Sequence, residues 1–388
     1  MLRHFEISYL VYKRIFLFTI QVNESPPHMK KVLWVIALSF LFSNVAAQES
    51  SCLQNLNFLI GHIEKNYPGF ADKVTSKNRN VYHYFKKALQ SKAESTSSPD
   101  CAKILNEFLA YFKDGHLQLF DASGPVANTF LYPNRNYPRD YPVHPTTYFE
   151  KLDDNTALVR MRSFYQREYP KVDSIIKTNK TSLSQVSQLI IDVRGNEGGA
   201  TFTYAPILPY LGLDSIQHIG FDVLATEDNI EAYRELMESP YMPEEQKPYL
   251  QRNIDMMKAS PNQLVSLTED YAEYINQDEQ IHSIIILIDN NCGSTTEHFL
   301  FAAKQSPYVT LMGEHSIGMY DYGDMRKFDI PNSNWHVWTA TNRSRRLNQG
   351  GGIDNIGITP DVFLNHNRDW IKEAVQYFQI DKPKKTTK

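Results

Sequence analysis

The chain has 388 residues, of which 42% are hydrophobic and 22% are charged, with 40 Lys and Arg against 44 Asp and Glu. These values are typical of a globular protein of about two or three domains, and they exclude a disordered chain and a multi-span membrane protein. The net charge of −4 gives no support for a nucleic-acid-binding function, because such proteins usually present a basic face.

The first element in chain order is a secretory signal peptide that starts at Met29. Two lysines, an apolar run and a small-residue cleavage site ending at Ala47 follow in the order that export signals use. The segment is too short to be a good membrane span. We therefore predict a leader over 1–47, with 1–28 arising from an incorrectly assigned start. The protein is expected to be exported, periplasmic or extracellular, without stable membrane insertion after cleavage. The alternative is a two-segment anchor that also uses the short apolar run at 15–20.

Export places the three cysteines in an oxidising compartment, where disulfides persist. Cys52 and Cys101 each precede a helical pattern, so a disulfide between them is one open possibility, with Cys292 left over. The other possibility is that all three are free. The sequence has no C-x-x-C pair and no H-E-x-x-H motif, so no metal site is predicted.

Residues 48–118 are predicted to form an N-terminal helical subdomain. Its clearest helix has Ser98 as a cap and Pro99 at the first helical position. Apolar residues then recur at helical spacing as far as Phe112. Gly115 is suited to the left-handed position that ends a helix.

Residues 119–380 are predicted to form an α/β core. This range includes a Pro/Tyr/Asn-rich connector at 132–146, after which strands and helices alternate. Short apolar strands that alternate with helices favour a mixed, mostly parallel sheet with flanking helices. The predicted strands are 156–163, 189–193, 283–288 and 308–312. A polar helical insertion is expected at 228–278, and a basic tail at 381–388.

Two glycine-bearing loops follow the two most apolar strands and run into helix N-termini. Ligands of open α/β sheets bind at the carboxyl ends of strands, and free N–H groups of a helix favour negative charge. The spacing of Gly195, Gly198 and Gly199 does not match a dinucleotide fingerprint, and the chain contains no standard P-loop motif. An oxyanion or phosphate site at this edge is therefore expected.

Ser294 lies at the strand-to-helix turn of the second of these loops. A serine there can project its hydroxyl over the sheet edge, with the backbone N–H of Thr295 directed at a developing oxyanion. The competing interpretation is a capping box, because Ser294 and Glu297 have the S-x-x-E spacing.

Four segments in this order resemble the S41 family of serine peptidases, the C-terminal processing and tricorn-core group. They are 189–199 (LIIDVRGNEGG), 284–305 (IIILIDNNCGSTTEHFLFAAKQ), 309–318 (VTLMGEHSIG) and 353–361 (IDNIGITPD). The resemblance covers about residues 104–364. It implies a crotonase-like or ClpP-like core and peptide-bond hydrolysis through an acyl-enzyme, with no cofactor.

The resemblance implies that Ser294 is the nucleophile. Many members use a lysine as general base, but that position holds Met319, whose thioether is not a useful proton acceptor. The tricorn-like branch instead uses a histidine, and the Asp-Gly-His motif ending at His116 resembles that segment. His116 would therefore take the Ser294 proton. The competing interpretation of His116 is a surface histidine after a helix cap.

The acid implied by the same branch is Asp354, at a place where tricorn-like members carry glutamate. Asp361 is the alternative acid, and the competing interpretation of Asp354 is a turn residue. The second oxyanion donor would be the backbone N–H of Gly198 or Gly199, beside that of Thr295.

The stretch at 120–150 is too short for the PDZ module of the C-terminal processing members. The predicted function is a serine-type peptidase that acts on peptide or protein substrates; no oligomeric state is predicted. One alternative is a non-catalytic binding protein on the same fold, motivated by Met319 and by the aspartate at position 354. The other is a hydrolase of non-peptide esters or amides.

Overall fold

The computed structural model describes residues 51–96, 98–126, 146–240, 242–276 and 281–380. The predicted leader, the connector as far as residue 145 and the basic tail lie outside these residues. Across the described ranges, no helix combines the length and the apolar character that a membrane crossing requires.

The described residues contain ten α-helices, which we number in chain order. They are α1 (Cys52–Asn66), α2 (Phe70–Lys73), α3 (Arg79–Glu94), α4 (Ser98–Ala110), α5 (Tyr169–Thr178), α6 (Lys180–Leu183), α7 (Glu227–Glu238), α8 (Lys247–Ala259), α9 (Thr295–Ala303) and α10 (Trp370–Ile380).

The same residues contain fourteen strands. They are β1 (Gln118–Asp121), β2 (Gly124–Pro125), β3 (Tyr148–Lys151), β4 (Thr156–Arg160), β5 (Gln188–Asp192), β6 (Ser215–His218), β7 (Phe221–Leu224), β8 (Leu264–Ser266), β9 (Tyr271–Tyr274), β10 (Ser283–Ile288), β11 (Val309–Gly313), β12 (Tyr322–Asp329), β13 (His336–Ser344) and β14 (Val362–Phe363).

The first large sheet has the strand order β14-β11-β10-β5-β4-β3. All of its pairs are parallel except β3 with β4. Its central strand β10 is a run of isoleucine and leucine in which Ile286 lies opposite Ile191 and Leu311. Such continuous apolar strands form because helices or loops cover both faces of a parallel sheet.

The second large sheet is antiparallel, with the order β2-β1-β13-β7-β8 and β12 paired to β13. The fold is therefore a mixed α/β arrangement with several sheets, and the predicted mostly parallel sheet describes only the first. Strands β7, β8 and β12 of this sheet are half-exposed and short or polar, so they carry no continuous apolar run that the sequence could reveal.

The N-terminal helices pack on the second sheet. Apolar residues of α1 and α4 share one buried cluster with Tyr322 of β12 and Val337 of β13. A disulfide between Cys52 and Cys101 joins the start of α1 to α4, with Cα atoms 5.4 Å apart. The chain passes from α4 to β1, so this packing and the chain connection together join the N-terminal helices to the second sheet.

The end of α4 differs from the predicted glycine stop. The helix ends at Ala110 and then continues as a series of tight turns, which include a hydrogen bond from the N–H of Lys113 to the carbonyl of Ala110. The left-handed residue is Lys113, with φ 49°, and not Gly115. The turn after the helix therefore adopts its left-handed conformation at Lys113, two residues before Gly115.

The segment at 228–278 holds α7 and α8, as expected of a helical insertion, but it also ends in strands. β8 pairs with β7, and β9 pairs with β6 in a two-stranded sheet. This segment is therefore tied to the second sheet by main-chain hydrogen bonds and is not helical throughout.

Candidate active site

Ser294 lies between the end of β10 and the first residue of α9, in a turn that only a constrained backbone adopts. Its φ and ψ are 56° and −120°, a conformation that L-residues other than glycine seldom take. Such conformations cost about 1–3 kcal/mol and persist only where the surroundings enforce them. The turn presents the serine hydroxyl at the carboxyl end of the parallel sheet.

Glu297 supplies much of that enforcement. Its buried carboxylate accepts hydrogen bonds from the backbone N–H of Ser294 at 3.1 Å and from Met319 at 2.8 Å on one oxygen. The other oxygen accepts from the Ser316 hydroxyl at 2.6 Å and from the N–H of Gly318 at 2.8 Å. Both halves of the predicted capping box are present, since the Ser294 side chain also accepts the backbone N–H of Glu297. The serine hydroxyl can still direct its own proton to another partner.

That partner is His116. Its Nε2 lies 3.1 Å from Oγ of Ser294, although 178 residues separate the two in sequence. His116 is buried and precedes β1, so the second sheet brings it to the nucleophile turn of the first. Burial lowers the pKa of His116 below its ordinary value, while the negative charge of Asp114 and the main chain of Tyr322 act in the opposite direction.

The carboxylate that lies behind His116 is Asp114. Its Oδ1 accepts the backbone N–H of His116 at 2.8 Å and lies 3.8 Å from Nδ1 of the ring. Its Oδ2 accepts the hydroxyl of Tyr67 at 2.8 Å. In the sequence, the Asp-Gly-His motif indicated only the histidine, although the aspartate two residues before it was an available signal for this contact.

Asp354 occupies a different place. Its Oδ1 accepts the backbone N–H groups of Tyr320 at 3.2 Å and Asp321 at 3.0 Å, and its Oδ2 lies 3.7 Å from Nζ of Lys73. No hydrogen bond or ion pair joins Asp354 to His116 in the described part of the chain. The role of Asp354 as the orienting acid stays a prediction. Its contacts are those of a residue that joins two turns.

The predicted oxyanion donors surround the Ser294 turn. Gly198 approaches so closely that a Cβ on it would lie 2.8 Å from the backbone N of Thr295 and 3.0 Å from Cβ of Ser294. The N–H of Gly198 donates to the side-chain oxygen of Asn196 at 3.0 Å. This bond leaves the N–H groups of Thr295 and Gly199 as the two better placed to receive a negative oxygen.

A cavity of about 460 Å³ opens over these groups and receives residues from both large sheets. Ser294, Thr295 and Gly199 line it from the parallel sheet, while His116 and Tyr322 line it from the antiparallel one. The remaining walls are largely aromatic and include Phe202, Phe221 and Tyr320. The cavity therefore exposes the Ser294 hydroxyl and His116 at one common opening.

Two other reactive side chains near the Ser294 turn have separate partners. His298 lines the cavity, but its Nδ1 is 2.8 Å from the Tyr204 hydroxyl, and burial together with His218 lowers its pKa to about 4. Cys292 is buried, its thiol lies 3.1 Å from the carbonyl of Val193, and burial raises its pKa. Among the described residues, no cluster of His, Cys, Asp or Glu could hold a metal ion.

The family comparison agrees with this geometry. A family model described as peptidase family S41 matches residues 155–364, which include Ser294 and both loops at the sheet edge. A sequence comparison with curated proteins finds no match. The family match confirms the resemblance inferred from the four sequence segments.

Solved structures share the fold over most of the chain. A protein of Parabacteroides merdae ATCC 43184, described as a candidate peptidase, superposes with a TM-score of 0.55 at 18% identity, over 84% of this chain and 93% of that one. Mature CPAF complexed with lactacystin superposes with a TM-score of 0.58 at 13% identity, over 85% of this chain and 97% of that one. At these identities the similarity concerns the fold.

Proposed function

This chain belongs to peptidase family S41 and is a hydrolase of peptide bonds, and we propose that Ser294 and His116 carry out the reaction. His116 Nε2 takes the proton of the Ser294 hydroxyl as Oγ attacks the carbonyl carbon of the scissile bond. The negative oxygen of the tetrahedral intermediate is held by the N–H groups of Thr295 and Gly199.

The second half of the reaction uses the same groups. His116 returns its proton to the leaving amine, the carbon–nitrogen bond breaks, and an acyl group stays on Ser294. A water molecule then gives a proton to His116 and attacks the ester, which releases the acid product and restores the serine. A buried aspartate beside the ring would stabilise the imidazolium in both halves. The sequence resemblance implies Asp354 for that role, although its own hydrogen bonds come from the backbone N–H groups of residues 320 and 321.

The observation that carries this proposal is the 3.1 Å distance between His116 Nε2 and Ser294 Oγ. It joins a serine on a constrained turn to a base whose lowered pKa keeps it neutral and able to accept a proton. The parallel order of β4, β5, β10 and β11, with the site at its carboxyl end, likewise supports a crotonase-like or ClpP-like core.

Labelling with a fluorophosphonate tests the assignment. The wild-type protein should be labelled covalently, and both Ser294→Ala and His116→Ala should lose the label while thermal unfolding shows that they fold. Equal labelling of all three proteins would remove both residues from the mechanism.

Two other activities are separable with the same material. A folded wild-type protein that takes no label would favour the non-catalytic binding protein. Labelling together with turnover of nitrophenyl esters, but of no peptide in a diverse library, would favour a non-peptide hydrolase.

We also propose that the protein is exported. The signal-type leader that starts at Met29 supports this, and so does the Cys52–Cys101 disulfide, because disulfides persist in oxidising compartments. Fractionation of cells that express the full chain should find it outside the cytoplasm with a shortened N-terminus. An unprocessed cytoplasmic protein would contradict the proposal.

A further inference from the structure

We propose that Asp114 is the positioning residue for His116, and that it holds the ring toward Ser294 and stabilises its protonated form. This inference rests on the proposed function, because it concerns the base of the same site. It assigns to Asp114 the role that the sequence resemblance assigned to Asp354.

The geometry fixes His116 through Asp114 at two points. One carboxylate oxygen accepts the backbone N–H of His116 at 2.8 Å, which locks the main chain that carries the ring. The same oxygen lies 3.8 Å from Nδ1, on the side of the ring opposite to the Ser294 contact. A small shift of the ring as it gains a proton would bring this pair to hydrogen-bond distance.

The immediate surroundings leave His116 as the partner for the charge of Asp114. The Asp114 side chain is fully buried, and burying a carboxylate without a cationic partner is costly. Among the described residues, the only basic side chain within ion-pair distance of Asp114 is His116, which is cationic only when it is protonated. The Tyr67 hydroxyl satisfies the second oxygen. In turn, His116 Nδ1 is buried without a completed hydrogen bond in the described structure. The main chain of Tyr322 also faces the His116 ring and, like Asp114, acts to raise its pKa.

Asp354 is held away from this arrangement. Both of its accepted hydrogen bonds come from backbone N–H groups at 320 and 321, and its nearest cation is Lys73. Burial, and then the negative charges of Asp114 and Asp321, raise the pKa of Asp354 well above its ordinary value. A carboxyl group that favours its neutral form is poorly suited to stabilise an imidazolium.

The remaining charged and titratable groups of this region face other partners. The Tyr322 hydroxyl donates to Asp72 at 2.9 Å, and Asp72 also pairs with Arg343 at 2.6 Å. Lys73 lies over the Tyr322 ring at 5.2 Å and faces Asp354. None of these contacts reaches the imidazole, which leaves Asp114 as the carboxylate that acts on it.

The experiment compares Asp114→Asn with the matched variant Asp354→Asn. The pKa of His116 is measured by NMR with ¹³C-labelled histidine, using His116→Ala to assign its signal. The rate of fluorophosphonate labelling is measured across pH. Asn keeps the size of the side chain and can still accept the His116 N–H, so Asp114→Asn removes mainly the charge.

For Asp114→Asn we expect the pKa of His116 to fall and labelling to slow by roughly 10²–10⁴-fold. For Asp354→Asn we expect less than about a tenfold slowing and little change in the pKa of His116. The reverse ranking of the two variants, or an unchanged His116 pKa in Asp114→Asn, would overturn the inference.

A second variant keeps the test decisive if Asp114→Asn does not fold. Tyr67→Phe removes one donor to the Asp114 carboxylate, which strengthens its attraction for the imidazolium and should raise the pKa of His116; no rise would count against the proposal. If the wild-type protein takes no label, the proposed peptidase chemistry fails, but the NMR comparison still decides whether Asp114 acts on His116.

Discussion

At the residue scale, the geometry of Ser294 depends on two neighbours. Its hydroxyl faces His116, and its backbone conformation is held by Glu297. A residue with φ 56° and ψ −120° relaxes unless its surroundings oppose this, and the Glu297 carboxylate opposes it by accepting four hydrogen bonds from residues of two loops. The orientation of the proposed nucleophile therefore depends on a side chain that is not part of the cavity lining.

Glu297→Gln tests this dependency. An amide can accept on one side only, so at least one pair of donors loses its acceptor, and labelling by a fluorophosphonate should fall by at least about tenfold. Glu297→Ala should lose more than Glu297→Gln. A Gln variant that labels at the wild-type rate would show that the turn is held by other means.

We also expect Glu297 to make the free energy of unfolding depend on pH. Burial raises the pKa of Glu297 from 4.5 to about 7. Because the folded pKa is raised, the protonated form is favoured in the fold. The contribution of this protonation to the free energy of unfolding is therefore fully present below about pH 4.5 and is lost as pH rises through 7. The wild-type free energy of unfolding, minus that of Glu297→Gln, should increase by about 3 kcal/mol from pH 8 to pH 4. Denaturant titrations at both pH values measure this difference.

At the scale of elements, the position of the loop that carries Gly198 and Gly199 depends on one glycine. Gly199 has φ 144°, and a Cβ there would lie 2.2 Å from the main chain of Phe164. Gly199→Ala must therefore displace the loop, and we expect labelling to fall by about 10²-fold or more through loss of an oxyanion donor. Gly61→Ala is the matched control, since nothing lies within 4 Å of a Cβ in the middle of α1. Similar losses in both variants would contradict the argument.

The disulfide between α1 and α4 acts on a different element. It closes a loop with a sequence separation of 49, and removing such a link costs about 3–4 kcal/mol by constraining the unfolded chain less. The double variant Cys52→Ser, Cys101→Ser should lose this amount in denaturant titrations. Reductant should destabilise the wild-type protein and leave the double variant unaffected. If reductant affects neither, the disulfide contributes nothing to stability.

The elements were predictable from the sequence where a short-range pattern identifies them. The apolar runs at β5 and β10 and the turn at Ser294 are local patterns, so the parallel strands and the strand-to-helix turn could be predicted. The antiparallel pairing of β12 with β13 has no apolar run to reveal it. The contact of Asp114 with His116 depends on where α4 unwinds, and the left-handed residue was assigned to Gly115 instead of Lys113.

The site is a property of the whole molecule, because the cavity combines the two large sheets. Its described walls carry the aromatic rings of Phe202, Phe221 and Tyr320, and its one carboxylate, Asp324, is paired with Arg326 at 2.7 and 3.0 Å. This lining favours uncharged side chains near the scissile bond.

We expect a peptide with norleucine beside the scissile bond to be cleaved at least about tenfold faster than its lysine counterpart, since the two differ mainly in charge. Tyr320→Ala should reduce this preference by raising KM for the norleucine peptide. Mass spectrometry of the products with both peptides provides the measurement. Equal cleavage of the lysine peptide would show that the aromatic walls do not select the substrate.

The sequence separation of 178 between His116 and Ser294 also bears on how the protein acquires activity. Contacts between residues so distant in sequence form late, because a long segment of chain must first be ordered. Each sheet can form its own hydrogen bonds before the histidine reaches the serine. During refolding, the return of covalent labelling would therefore report when the two sheets dock. It should lag behind the return of secondary structure.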